Sequence, residues 1–133
     1  MQSNFCCTMS NEPSHPALKG KRVIVVEDEF AVLLMLEDVL ASFGCVVVDT
    51  ASKLEDALEK AGRCEVDAAL LDINLAGKKI YPAAEIFQRR NVPIVFSTGY
   101  GAAGIEPEWA HCTVLQKPFR DEDLAKALTT ALS

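Results

Sequence analysis

Five polar side chains of kinds that carry out chemistry stand directly after apolar runs of the sequence. Three are carboxylates, one is a hydroxyl and one is an ammonium: Glu27, Asp28, Asp72, Thr98 and Lys117. Clustered carboxylates repel one another and raise one another's pKa unless a cation lies among them. A hard divalent ion such as Mg²⁺, held by a couple of carboxylate oxygens, resolves that conflict. If these residues meet in the fold, they predict a magnesium site.

Asp72 has the chemistry of a phosphoryl acceptor. A carboxylate can act as a nucleophile and form an acyl phosphate. In phosphoryl transfer the protein must also neutralise the three equatorial oxygens of the transferred group. Mg²⁺ can take one of them and the Lys117 ammonium a second. The Thr98 hydroxyl, with nearby backbone N–H groups, can take the third. Each residue type then has a specific role.

The segments that position these residues alternate between strand and helix patterns. Apolar, β-branched runs predict five strands: RVIVVED, CVVVDTA, DAALLDI, VPIVFST and CTVLQ. Helix-period segments lie between and after them: EFAVLLMLEDVLASFG, SKLEDALEKAG, YPAAEIFQRR and RDEDLAKALTTAL. Ser52 is the predicted N-cap of the second helix, with Glu55 as its capping-box partner. Pro107 limits GIEPEWA to a short or broken helix.

This alternation predicts an α/β fold with right-handed βαβ units, a mostly parallel sheet and helices on both faces. Such sheets place their functional residues beyond the carboxyl ends of the strands. The chain of 133 residues has the length of one domain. Residues 1–20 lack helical or strand periodicity and predict a flexible leader, so the folded domain is expected to cover residues 21–133.

The composition narrows the classes of function. The chain is 50% hydrophobic and 24% charged, with a net charge of −6. An acidic chain is unsuited to the phosphate backbone of nucleic acid, so we expect no direct DNA binding. No apolar run reaches the roughly 18 residues of a membrane span, and the N-terminus lacks the pattern of a signal peptide. We therefore expect no membrane association and a cytoplasmic location.

The five cysteines do not form a recognisable site. They are Cys6, Cys7, Cys45, Cys64 and Cys112, and their spacing lacks the short pairs of a zinc or redox motif. Cys45 and Cys112 adjoin strand-like runs and are expected in the core. Trp109 is also expected to pack, and His111 to be a surface or structural residue.

Four motifs closely resemble the receiver domain of two-component response regulators. They are VVEDE, LLDINLAG, VFSTGY and QKPF, and the resemblance covers residues 21–132. It implies a flavodoxin-like, doubly wound (βα)5 fold with strand order 2-1-3-4-5. It also implies that Asp72 is the phosphoacceptor and Thr98 the switch hydroxyl. Lys117 would be the phosphoryl-binding lysine, preceding Pro118 through a cis bond.

The resemblance further implies a set of ligands for Mg²⁺. Asp28 matches a metal-binding acid and Glu27 its neighbouring acid. Asp72 would be the third carboxylate, and the backbone carbonyl of Asn74 would complete the shell.

One position departs from the family pattern. Val114 stands three residues before Lys117, where receivers commonly carry Tyr or Phe as a switch coupled to the threonine. Tyr100, two residues past Thr98, is the nearest aromatic that could replace it. The run FSTGY also resembles a subgroup of mostly stand-alone receivers with Phe-Ala-Thr-Gly after the fourth strand, although Ser97 replaces the alanine here.

The resemblance implies a single-domain response regulator with self-catalysed, Mg²⁺-dependent phosphotransfer and autodephosphorylation. Its phosphoryl donor would be a sensor histidine kinase or a histidine phosphotransfer protein. It would signal by docking to an unidentified downstream protein or act as a phosphate sink. The sequence does not decide whether it forms a homodimer. Alternatives are a constitutive adaptor with vestigial phosphorylation and a receiver fragment of a hybrid kinase. A haloacid-dehalogenase-like phosphohydrolase would need a second aspartate at Asn74.

Overall fold

The computed structural model describes residues 15–99 and 104–133, with a five-stranded parallel sheet at their centre. Its strands are β1 (Arg22–Val26), β2 (Val46–Ala51), β3 (Ala68–Asp72), β6 (Ile94–Thr98) and β7 (Thr113–Gln116). Their order is β2-β1-β3-β6-β7, and all four pairings are parallel. Two further strands, β4 (Asn74–Leu75) and β5 (Lys78–Lys79), form a separate hairpin. With that hairpin set aside, the predicted order 2-1-3-4-5 is confirmed.

Helices cover both faces of the sheet. They are α1 (Phe30–Ser42), α2 (Leu54–Ala61), α3 (Tyr81–Arg89) and α4 (Asp121–Leu132). One apolar cluster joins residues of α2 and α3 to side chains such as Ile24 and Leu71. The other cluster joins residues of α1 and α4 to the strand residues next to these in sequence, such as Val23 and Leu70. Because successive side chains point to opposite faces, β3 needs a continuous apolar run to fill both clusters.

Part of the predicted leader packs onto the domain. Pro16–Leu18 forms a 3₁₀ turn, and Leu18 is fully buried in the cluster beneath α1 and α4. The ring of His15 lies edge-on to Phe43, with centroids 4.8 Å apart. The expectation of a flexible leader is therefore wrong for Leu18, because the packed fold begins before Lys21. Residues 1–14, with Cys6 and Cys7, lie outside the described ranges.

A β-hairpin that the sequence did not predict follows β3. Its strands are β4 (Asn74–Leu75) and β5 (Lys78–Lys79), joined by Ala76 and Gly77. Both connecting residues have positive φ, 50° and 88°, as a two-residue hairpin of type I′ requires. Leu75, only 2% exposed, anchors the hairpin in the core. The usual Asn-Gly turn signal is missing here, so pattern reasoning assigned a loop.

The helix ends show one confirmed prediction and one error. A 3₁₀ turn at Pro107–Trp109 replaces a full helix, as Pro107 predicted. The predicted capping box at Ser52 and Glu55 is wrong: Lys53 is the N-cap of α2 and makes no side-chain capping bond.

The remaining predictions about packing concern single side chains. Cys45 and Trp109 are buried, and Cys112 is half-buried against the α2–α3 cluster. His111 is exposed, as expected. Among residues 15–99 and 104–133, no helix is both long and apolar enough to cross a membrane.

Candidate functional site

The parallel register brings the predicted site residues to one edge of the sheet. Asp72 ends β3 and pairs with Ser97. Thr98 ends β6, and its carbonyl accepts the Lys117 N–H at 2.8 Å. Glu27 follows β1, and its N–H donates to the carbonyl of Ala51 on β2. These backbone bonds extend the sheet by one step at its carboxyl edge, which sets the positions of the side chains.

Three carboxylates converge at this edge. One oxygen each from Glu27, Asp28 and Asp72 can be chosen so that all three lie within 4.8 Å of one another. Glu27 and Asp72 are buried, at 1% and 6% exposure, whereas Asp28 lies closer to solvent. Oxygen donors of this kind are the ligands that Mg²⁺ takes in proteins. The residues present therefore fit the ion that the sequence predicted.

Lys117 links two of the three acids. Its Nζ donates to Glu27 Oε1 at 2.9 Å and to Asp72 Oδ2 at 3.3 Å. The peptide bond between Lys117 and Pro118 is cis, as expected. Burial alone would lower the pKa of Lys117, but the hydrogen bond to Glu27 and the charges of both acids raise it. The lysine is therefore an ammonium at neutral pH and supplies one positive charge to the cluster.

One positive charge does not satisfy the Asp72 carboxylate. Burial first, and the charge of Glu27 second, raise the pKa of Asp72 to about 7, although Lys117 and the Asn74 N–H oppose that rise. The carboxylate therefore holds a proton part of the time at neutral pH. A bound divalent cation would lower this pKa and favour the charged, nucleophilic form.

Backbone N–H groups hold the three carboxylates. The Asn74 N–H points to Asp72 Oδ1 over a long 3.4 Å, and the Glu29 N–H donates to Glu27 Oε2 at 3.1 Å. The Ala76 N–H, in the hairpin turn, donates to Asp28 Oδ2 at 3.1 Å. Sequence reasoning missed these donors because backbone groups carry no residue signature. Gly77 in the loop was the only available hint of a turn there.

An aromatic cluster lies on the strand that carries Thr98. Phe96 packs edge-on against Tyr81 and Trp109, with centroids 5.9 and 5.6 Å apart, and Tyr81 stacks on Trp109 at 5.7 Å. Val114 pairs with Phe96 across β6 and β7. The sequence did not indicate this cluster, because its rings come from three distant segments. Tyr100, named as the replacement aromatic, lies outside the described residues.

Comparison with known proteins places this geometry in a family. The family model of the response regulator receiver domain matches residues 23–129, which is most of the chain. The chain belongs to this family. The solution structure of SdrG from Sphingomonas melonis Fr1 is similar to this receiver, with 37% sequence identity and a TM-score of 0.76. That match covers 88% of this chain and 98% of SdrG.

Two further relatives bear on the site and on the length of the chain. The receiver domain of the sensor histidine kinase PA1611 from Pseudomonas aeruginosa PAO1 is 26% identical, with a TM-score of 0.69, and covers 85% of this chain and 98% of its own. Its crystal structure has a magnesium ion coordinated in the active site cleft. The transcriptional regulatory protein PdtaR of Mycobacterium tuberculosis is 28% identical over 117 residues. That match spans 85% of this chain but only 57% of PdtaR.

Proposed function

We propose that this receiver is a single-domain response regulator that accepts a phosphoryl group on Asp72. The donor is a phosphohistidine of a sensor histidine kinase or a histidine phosphotransfer protein. The P–N bond of the donor breaks, a P–O bond to the Asp72 carboxylate forms, and the imidazole leaves with the electron pair of the broken bond. The observation that carries the proposal is the buried Asp72 carboxylate, which lies beside two further acids and Lys117.

The proposal assigns each side chain a separate role. Glu27, Asp28 and Asp72, with the backbone carbonyl of Asn74, would hold Mg²⁺. When bound, the ion supplies positive charge to the transferred phosphoryl group. Lys117 and Thr98 would contact phosphoryl oxygens once the group is on Asp72. Thr98 is 4% exposed at the end of β6, adjacent to the strand of Asp72, which suits a hydroxyl that moves a short distance.

Signalling would follow from docking in the cytoplasm. A phosphoryl group adds about −2 charge and three acceptor oxygens at the edge of the sheet. Thr98 would turn toward it, and the shift would pass through Phe96 on the same strand to the turn at Pro107–Trp109. The downstream protein would read that surface, or the receiver would act as a phosphate sink. A homodimer and membership of the Phe-Ala-Thr-Gly subgroup stay predictions.

Labelling of the phosphoacceptor tests the proposal. Acetyl phosphate or a phosphorylated kinase, with Mg²⁺, should add one phosphoryl mass to the wild-type chain. Asp72→Asn should take up none. Asp121→Asn changes an exposed acid in the first turn of α4 and should label like the wild type. Chelation of Mg²⁺ should abolish labelling in both, whereas labelling of Asp72→Asn would overturn the assignment.

A constitutive adaptor is the second candidate function. Val114 favours it, because a receiver without an aromatic at that position lacks one common element of the switch. Beryllofluoride, a mimic of the phosphoryl group, separates the two functions. Partner binding that is tighter with beryllofluoride than without it supports the switch, and equal binding supports the adaptor. A receiver fragment of a hybrid kinase would label like a single-domain regulator, so phosphotransfer profiling against kinases must decide between them.

A phosphohydrolase is the weakest alternative. That class uses a second aspartate as its acid/base, and Asn74 occupies the place. The Asn74 side-chain oxygen instead accepts the Gly77 N–H at 3.1 Å, so it closes a turn. Release of phosphate with turnover from small phosphomonoesters would support this class against our proposal.

A further inference from the structure

The hairpin β4–β5 reaches back to the carboxylate cluster. The Ala76 N–H donates to Asp28 Oδ2 at 3.1 Å, across 48 positions of sequence. Ala76 makes this contact from the left-handed region, with φ at 50°, where a residue with a Cβ is strained. Strain of this kind persists only where the surrounding structure holds it, and it concentrates at functional contacts. The strained residue and the donor to Asp28 are the same residue.

Three contacts hold the turn in place. Asn74 Oδ1 accepts the Gly77 N–H at 3.1 Å and closes the loop from inside. Asn74 pairs with Lys79, and Leu75 with Lys78, in an antiparallel ladder. The side chain of Leu75 is buried in the α2–α3 cluster. The Ala76 N–H is therefore supported by a rigid base rather than by a free loop.

Asp28 depends on this donor more than the other two acids do. Glu27 and Asp72 each accept a hydrogen bond from Lys117. Within residues 15–99 and 104–133, the hydrogen bond that orients Asp28 comes from Ala76. Asp28 is also the acid nearest to solvent, where a carboxylate would otherwise turn freely.

We propose that the hairpin β4–β5 is a positioning element for the metal site. The Ala76 N–H fixes the Asp28 carboxylate in the orientation that Mg²⁺ needs, and the Asn74 side chain and Gly77 hold that N–H in place. Asn74 thus serves the ion twice, through its backbone carbonyl and through the turn that its amide closes. This inference rests on the Mg²⁺ binding in our proposed function. Outer-shell groups that orient ligands typically affect metal affinity 10- to 100-fold.

A pair of glycine substitutions isolates the effect of the hairpin turn on Mg²⁺ binding. Gly77 has φ at 88° and Gly20 has φ at 77°, and a Cβ at either position would meet nothing within 4 Å. Alanine therefore brings similar backbone strain and no clash at both positions. Gly20 precedes β1 and so lies at the opposite edge of the sheet. We expect Gly77→Ala to weaken Mg²⁺ binding, measured by calorimetric titration without phosphoryl donor, about tenfold. Gly20→Ala should bind like the wild type.

Two further variants test the same mechanism. Gly77→Asn should restore Mg²⁺ affinity to within about twofold of the wild type, because asparagine tolerates positive φ. Asn74→Ala keeps the backbone carbonyl but loses the hydrogen bond to the Gly77 N–H. It should therefore weaken Mg²⁺ binding, as Gly77→Ala does. Equal affinity in Gly77→Ala, Asn74→Ala and the wild type would overturn the role of the hairpin and leave the proposed function intact.

A measurement without metal separates this inference from the proposed function. In chelated protein, Asp28→Ala removes the acceptor, so the Ala76 amide should exchange its hydrogen faster while the amides of β1 keep their protection. Unchanged exchange at Ala76 would overturn the contact itself. Failure of the wild type to bind Mg²⁺ would instead contradict the metal site of the proposed function, and with it the role of the hairpin.

Discussion

Two groups of side chains in this receiver each have one lysine between two carboxylates. The pKa of a carboxylate is raised in one group and lowered in the other. We name them by location: the edge cluster is Lys117 with Glu27 and Asp72, and the surface cluster is Lys60 with Asp49 and Asp56. The lysine nitrogen lies 2.9 and 3.3 Å from its acceptors in the edge cluster and 3.0 and 3.1 Å in the surface cluster. Composition and distance therefore do not distinguish them.

The burial of the acids does distinguish them, whereas the two lysines are both largely covered, at 23% exposure for Lys117 and 15% for Lys60. The Asp72 side chain is 8% exposed and that of Asp49 is 32% exposed. Burial raises the pKa of Asp49 as well, but its hydrogen bonds from Lys60 and the Thr50 N–H outweigh that effect and leave the pKa below its usual value. In the edge cluster burial prevails and the pKa of Asp72 rises to about 7. A buried pair of acids with one lysine still needs positive charge, which is the property of a cation site.

Removal of each lysine should give the largest difference between the clusters. Lys117→Met leaves two buried acids without a cationic partner and should cost about 3 kcal/mol of unfolding free energy in the absence of Mg²⁺. Lys60→Met removes a partner from acids that water can solvate, together with a hydrogen bond to the Thr50 carbonyl, and should cost only about 1 kcal/mol. Urea unfolding of both variants in chelator at neutral pH measures the two costs.

Two checks accompany this measurement. Mg²⁺ should recover part of the stability of Lys117→Met, because the ion replaces the lost charge. It should stabilise Lys60→Met only as much as it stabilises the wild type. Equal costs for the two substitutions would show that burial does not distinguish the clusters.

The pH dependence of stability should have opposite signs in the two clusters. The folded pKa of Asp72, about 7, exceeds the unfolded value near 4. Between those values the folded state holds the extra proton, so chelated protein should lose about 2 kcal/mol from about pH 5 to pH 7.5. For Asp49 the folded pKa is lowered. Its contribution is present above about pH 4 and is lost as the pH falls further.

Urea unfolding midpoints over a pH series measure both windows. Asp72→Asn should flatten the loss between about pH 5 and pH 7.5, and Asp49→Asn should leave it in place. Saturating Mg²⁺ should also flatten it in the wild type, because the bound ion replaces the proton. A loss of the same size in chelated Asp72→Asn would assign the proton to another group.

The smallest effect is expected at the exposed arm of the surface cluster. Asp56 lies one helical turn before Lys60 on α2, with 42% of its side chain exposed. Asp56→Asn should cost about 0.4 kcal/mol or less, since Lys60 keeps Asp49 and the pair is screened by water. The cost should fall further in high salt, as measured by urea unfolding at two ionic strengths. A cost near that of Lys117→Met would contradict the comparison.

The predictable part of the site consists of residues at the ends of regular elements. Asp72 and Thr98 could be placed at the carboxyl edge of the sheet because an apolar run ends at each residue and parallel strands end at the same edge. The hairpin could not be assigned, since Ala76 with positive φ has no pattern in the sequence. Leu18 was misassigned because one buried side chain in a polar segment has no periodicity. Trp109 was expected to pack, but its ring partners Tyr81 and Phe96 come from segments far apart in the chain.

The sequence by itself determined the main strands and helices and the residues at the carboxyl edge, and the order of the strands was implied by the resemblance to receivers. The main elements follow from local periodicity, which acts along the chain. Only the tertiary structure decided which lysine–acid group is buried, and thus why Asp72 and Asp49 titrate in opposite directions. It also decided that Ala76 donates to Asp28. The burial of a side chain and the direction of a backbone N–H both depend on which distant segments pack nearby, so both are set only when the chain folds.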